Sequence, residues 1–232
     1  MKISSRQKII KKVREVFSCS GFSETVHYSF IERTVAEEFK TAFADKQDQV
    51  IVLKNPLSSE YDAMRTSLLP GLLKTAALNL SKGQKPLKLF EVGSVYFADF
   101  SGVRTEKAVL SAIVLGSYEL TPWKPRGKEY DFYDLKGVLE TLTAHLHLKL
   151  KTSPDTRSFM EPGKLVQVQI SDLTLGCLGQ MAPEQNLVKA LGQNIYALEI
   201  DLGILEESTS SSSRYFQPIP KFPEIYRDIS IL

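Results

Sequence analysis

The sequence is poor in cysteine: Cys19 and Cys177 stand alone in 232 residues, and no C-x-x-C occurs. That spacing argues against a cysteine zinc site and for two buried thiols in a reducing cytosol. No apolar run approaches the ~20 residues that span a bilayer. The opening MKISSRQKIIKKV carries charge through its apolar pattern, so it is not a secretory signal, and a cytoplasmic location without membrane contact is expected. Charge of one sign is also scarce. The formal net charge is +2, and the lysines and arginines are spread along the chain, which argues against a strong nucleic-acid binder. There is no G-x-G-x-x-G, P-loop or G-x-S-x-G. The three histidines, His27, His145 and His147, lack metal-ligand spacing and are read as structural.

What is present is an ordinary globular composition, 43% hydrophobic and 24% charged, long enough to bury a core without staples. Ser4 and Ser5 can cap a helix reaching about Cys19, with Ile9, Ile10, Val13, Val16 and Phe17 on one stripe. The basic residues on its other faces are read as a solvated surface. FSETVHYSFI alternates Phe22, Val26, Tyr28 and Phe30 against polar neighbours, as a strand would. A short helix is expected near Thr34 to Phe43, and a strand from Val50 to Leu53 that stops at Asn55-Pro56.

SLLPGLLKTAALNLSKG predicts a second helix with Pro70 in its first turn and Gly83 at its end. KLFEVGSVYF and AVLSAIVLG predict two central strands joined by a turn near Ser101-Gly102. After the loop TPWKPRGKEY, Asp134 is expected to cap a third helix that buries Leu135, Val138, Leu139, Leu142 and Leu146. VQVQIS, LTLGCLGQM and IYALEIDL predict three more strands, with a short helix from Pro183 to Leu191 between the last two. STSSSS, residues 208–213, reads as a linker. The sum is an α+β fold with a largely antiparallel sheet flanked by helices.

Few residues offer chemistry. Glu60 and Asp62 stand near Arg65, where carboxylates more often fix a loop than move protons. Glu91 lies mid-strand among Leu89, Phe90, Val92 and Val95, and burying that charge alone is costly. Arg65 is its expected partner, through a two-point guanidinium contact.

These residues also carry a resemblance. Asn55-Pro56-Leu57-Ser58, Met64-Arg65-Thr66-Ser67-Leu68-Leu69-Pro70-Gly71-Leu72-Leu73, Leu89-Phe90-Glu91-Val92-Gly93 and Val95-Tyr96-Phe97 occur in order. So do Asp131-Phe132-Tyr133-Asp134-Leu135-Lys136-Gly137, Pro162-Gly163, Ala197-Leu198-Glu199-Ile200-Asp201, Lys221-Phe222-Pro223 and Arg227-Asp228. Together they are similar to the bacterial phenylalanyl-tRNA synthetase beta subunit, from about Ser5 to Asp228.

The resemblance implies a non-catalytic version of the class II aminoacyl-tRNA synthetase catalytic domain. It implies a core at 1–205, and at 206–232 a flexible linker with the truncated start of an anticodon-binding domain. It further implies that the stretch is excised from a longer subunit. The implied partner is the alpha subunit, in a heterotetramer, with phenylalanine tRNA bound through the complete enzyme. The stripe Ile9, Ile10, Val13, Val16 and Phe17 is the implied subunit interface, which could equally serve the chain's own core. An isolated piece could self-associate through the same surface. ATP and magnesium belong to the complete enzyme, and no catalytic, cofactor or metal residue is assigned here. Class II enzymes grip ATP with an arginine after the strand that KLFEVGSVYF resembles; here Ala98-Asp99-Phe100-Ser101-Gly102 follows.

The sequence departs from the beta pattern at Glu161 (histidine expected), Lys164 (arginine expected) and Gln180-Met181-Ala182-Pro183 (an acidic, histidine-bearing turn expected). Two rival readings remain open. One is a self-sufficient ATP-dependent ligase. The other is a free-standing RNA-binding or regulatory relative.

Overall fold

Ser4 accepts a hydrogen bond from the Gln7 amide while the Gln7 side chain returns to the Ser4 N–H, a capping box that starts α1, Ser5–Cys19. The computed structural model describes residues 4–40, 48–118, 127–211 and 227–228. Beyond α1 come β1 (Ser23–Glu24), β2 (Phe30–Ile31), α2 (Arg33–Glu38), a 3-10 turn at Ser59–Tyr61, β3 (Ala63–Met64) and α3 (Leu69–Ser81). The hairpin β4 (Leu87–Ala98) and β5 (Arg104–Leu115) follows, then β6 (Ser117–Tyr118), β7 (Lys128–Glu129) and α4 (Phe132–His145). The chain continues through β8 (Leu150–Pro154), β9 (Met160–Ile170), β10 (Leu173–Met181), α5 (Asn186–Lys189), β11 (Ile195–Asp201) and α6 (Leu202–Ser211).

Seven strands form one sheet in the order β1-β4-β5-β11-β10-β9-β8. Only β1 runs parallel to its neighbour, β4; all other pairs are antiparallel. The fold is therefore α+β with a mixed, mostly antiparallel sheet. β5 and β11 sit at its centre; β11 and the second half of β5 are buried on both faces and read as nearly continuous apolar runs. α1, α4 and α6 cover one face, where Val13, Phe17, Phe90, Leu110, Leu139 and Leu198 share a core. α3 and α5 cover the other, where Leu72, Leu73, Leu89, Ile113, Cys177 and Ala197 form a second core.

The stripe on α1 belongs to this chain's own interior. Ile9, Val13, Val16 and Phe17 are buried, and Phe17 meets Phe22 and Phe90 at ring-centroid distances of 5.1 and 5.3 Å. Ile10 alone keeps part of its surface. Burial of this size, roughly 1.5–3 kcal/mol per large side chain, fixes α1 to the sheet and leaves little of the stripe for a partner.

Several sequence expectations need correction. FSETVHYSFI is no continuous strand. Val26 and Tyr28 are 86% and 77% exposed, and His27 between them turns inward. Alternation mimics a half-buried strand but does not say which residues find a core. Val50 to Leu53 makes only an isolated bridge, Val52 to Ala63. The helix expected near 34–43 is α2; residues 41–47 lie outside the described ones.

The cap of α4 is Asp131, which accepts from the Tyr133 and Asp134 amides, while Asp134 supplies the return half of the box. β8 carries no apolar signal in the sequence, because its alternation is polar and it lies at a sheet edge. Cys19 is exposed rather than buried, since it falls on the outer side of the last turn of α1. The serine-rich linker does not begin at 208. α6 continues to Ser211, capped by Asp201 and anchored by buried Leu202 and Leu205, so the helix crosses residue 205. Residues 212–226 and 229–232, where the anticodon-binding start was expected, lie outside the described ones.

Candidate functional site

The chain brings its buried polar groups together on the face of the sheet that α3 covers. Arg65 follows β3 and is held by its backbone on both sides: its amide donates to Ser29 O at 2.9 Å, and its carbonyl accepts from the Tyr96 amide at 3.0 Å. The guanidinium is thereby aimed along β4. Its Nη1 meets Glu91 Oε1 at 2.8 Å and His27 O at 3.3 Å, and its Nε donates to Ser94 O at 2.8 Å. Arg65 and Glu91 are both almost wholly buried. The two-point fork expected from sequence is split. The second carboxylate oxygen, Oε2, accepts from His27 Nδ1 at 2.5 Å.

His27 completes the arrangement. Its other ring nitrogen lies 2.7 Å from Thr75 Oγ1 on α3. The order Thr75, His27, Glu91 has the connectivity of a hydroxyl–imidazole–carboxylate relay. Its chemistry is blocked at both ends. Arg65 neutralises the carboxylate, and Thr75 lies inside a helix whose amides are spent on the helix, leaving nothing to hold an oxyanion. What remains is a fastening of the chain after β1 to β4 and to α3.

The motif glycines explain themselves here. A Cβ on Gly93 would lie 2.4 Å from Arg65 Nη2, and one on Gly71 would lie 2.7 Å from the His27 ring. Each glycine makes room for one member of the network. Pro70 sits at the start of α3, where its missing amide costs nothing. Asn55 and Pro56 belong to an exposed loop and take no part. Nor do Glu60 and Asp62 pair with Arg65: Glu60 is exposed, and Asp62 accepts from the Arg33 amide at 2.7 Å.

A second buried carboxylate, unassigned by sequence, lies on the same face. Glu199 of β11 is fully buried. Its Oε1 accepts from Ser67 Oγ and Ser111 Oγ, each at 2.8 Å, and from the Leu68 amide at 3.2 Å. Its Oε2 is buried with no hydrogen-bond partner. Burial raises the carboxyl above its ordinary range, against the three donors, which act to lower it. The signal was a carboxylate inside an otherwise apolar strand, the same signal that marked Glu91.

Among the described residues there is no group of three His, Cys, Asp or Glu side chains that could hold a metal ion. His145 closes α4 with Nδ1 on Thr141 O, and His147 follows at φ 58°. No helix among the described residues is long and apolar enough to cross a membrane.

The family model for the phenylalanyl tRNA synthetase beta chain CLM domain matches residues 1–202.

The chain belongs to that family.

It is 31% identical over 230 residues to the phenylalanine–tRNA ligase beta subunit of Staphylococcus aureus strain MRSA252, which covers 99% of this chain and 28% of the relative. The beta subunit of Syntrophus aciditrophicus strain SB is 31% identical over 231 residues, covering 98% of this chain and 29% of the relative. The chain thus spans less than a third of the length of these relatives. The family's match covers α1 through β11 and includes Arg65, Glu91, His27 and Glu199.

Proposed function

We propose that this chain is the non-catalytic core of a phenylalanine–tRNA ligase beta subunit, of class II architecture, and braces an alpha subunit that attaches phenylalanine to its tRNA in the cytoplasm. One observation carries the reading: Arg65, Glu91 and Glu199, which face the sheet under α3, are held by partners within the chain. The Arg65 guanidinium is spent on Glu91, Ser94 O and His27 O, so it offers no fixed positive charge to a triphosphate. Glu199 holds three internal donors and no cation, and Leu68 is buried beside it. These residues do not fit ATP with magnesium.

The surface offered to the alpha subunit is not the α1 stripe. Val26 and Tyr28 are open to solvent, and Tyr28 meets the partly exposed Tyr61 edge to face at 6.3 Å. Contiguous exposed aromatic and aliphatic side chains of this kind suit a protein contact.

The test mixes the chain with the alpha subunit of the same source. Co-elution is expected, with ATP–pyrophosphate exchange by the alpha-containing complex and none by this chain alone. Adenylate formation by the unaided chain, or failure to associate at all, would overturn the reading. A concentration-dependent dimer lost in Tyr28→Asp would show that the same surface also self-associates.

A further inference from the structure

A groove of about 530 Å³ opens on the opposite face of the sheet, between the start of α4 and strands β9, β10 and β11. Phe132, Tyr133 and Tyr196 supply aromatic surface, and Lys164, Gln180 and Asn194 supply polar groups. Its size suits a small ligand. Gln180 and Tyr196 are cross-strand partners, so the register of β10 against β11 sets them side by side. Tyr133 stands out from α4, 72% exposed, with its ring at right angles to Phe132.

The polar groups have a definite pattern. Gln180 is 8% exposed, and its Nε2 donates to Asn194 Oδ1 at 3.1 Å. That bond aligns two amides and leaves the Asn194 Nδ2 donors and the Gln180 Oε1 acceptor for a ligand edge. Lys164 is exposed and makes no ion pair among the described residues. Asp131 is already spent: it caps α4 through the Tyr133 and Asp134 amides and meets Lys128 at 3.1 Å. Backbone recognition is closed, because β10 is hydrogen-bonded on both sides and cannot accept an added strand. A ligand here is therefore read by planar faces, amide edges and one cation.

We propose that this groove binds an unpaired nucleotide of RNA, with its base against Tyr133, its edge on the Gln180–Asn194 pair and its phosphate at Lys164. Unstacked bases are held on aromatic rings and read by amide side chains, and the phosphate supplies an opposite charge for Lys164. Lys164 and Gln180, sixteen residues apart in sequence, line one groove.

The test is fluorescence anisotropy of labelled heptaadenylate with the full chain, with AMP as competitor. Tyr133→Ala and Lys164→Ala change exposed side chains and should melt like the parent. Each should weaken heptaadenylate binding about tenfold, the scale of one lost base stack, and Lys164→Ala should lower the salt slope by about one. Lys82→Ala, at the end of α3, should leave binding unchanged. No binding up to about 1 mM, or equal binding by Tyr133→Ala and the parent, overturns the proposal. AMP competing as tightly as the heptamer overturns the RNA assignment in favour of a free nucleotide. Loss of the alpha subunit in Tyr133→Ala, with RNA binding unchanged, makes the groove a protein contact and leaves the ligase reading standing.

Discussion

Glu91 and Glu199 are both buried on the α3 side of one sheet, yet their surroundings differ in kind. Glu91 has a permanent cation, Arg65, on one oxygen and an imidazole on the other. Glu199 has two hydroxyls and an amide on one oxygen and nothing on the other. The first environment sets an opposite charge against the carboxylate; in the second, burial raises the carboxyl while the three donors act to lower it. Burial is common to both carboxyls, and the difference between them is the cation.

Arg65→Met should strain this contrast most. It leaves Glu91 buried without its cation, which costs about 3–5 kcal/mol in urea denaturation. A loss under 1 kcal/mol would mean that Glu91 is not held as an ion. Gly93→Ala should come next, at about 1–3 kcal/mol, since its Cβ displaces the same guanidinium.

The third prediction concerns pH. The ordinary carboxyl value is 4.5, and that of Glu199 is raised in the folded chain. Below 4.5 the group is neutral in both states and its contribution is intact. As pH climbs, the unfolded chain releases the proton and the folded chain keeps it. Stability then falls by about 1.4 kcal/mol per pH unit until the folded value is passed. Glu199→Gln should flatten that slope in denaturation series across pH; an unchanged slope would place the effect elsewhere.

Ser111→Ala sharpens the same question. Loss of a donor to a neutral acid costs about 0.5–1.5 kcal/mol, whereas loss of one to an ion costs about 1.5–3 kcal/mol. The smaller figure is expected below pH 4.5, where the carboxyl is protonated. Smallest of all, Val26→Asp should change stability by under about 0.5 kcal/mol, because the side chain is exposed. Its effect should appear only in co-elution with an alpha subunit.

Much of the fold could be read from the sequence where one element states its own case. The long hairpin β4–β5 and α3 carry strong local patterns, and Arg65 with Glu91 announces itself as charge in apolar company. The rest needed tertiary facts. Periodicity showed that α1 has an apolar stripe, but not that Phe22 and Phe90 cover it. Alternation at Val26 and Tyr28 matched a strand, yet the core lies under His27 instead. Gly71 and Gly93 were visible as motif letters, while the reason for each is a side chain that arrives from elsewhere in the chain. Ser208 to Ser211 looked like a linker because the helix that holds them is anchored upstream, at Leu202 and Leu205.

The two thiols of the chain occupy opposite conditions. Cys19 is exposed, while Cys177 lies on β10 with its thiol pushed up by burial and by nearby Glu199. Alkylation should therefore mark the intact molecule once and the opened molecule twice. Mass spectrometry of the second label reads how often β10 parts from β9 and β11, without any added probe.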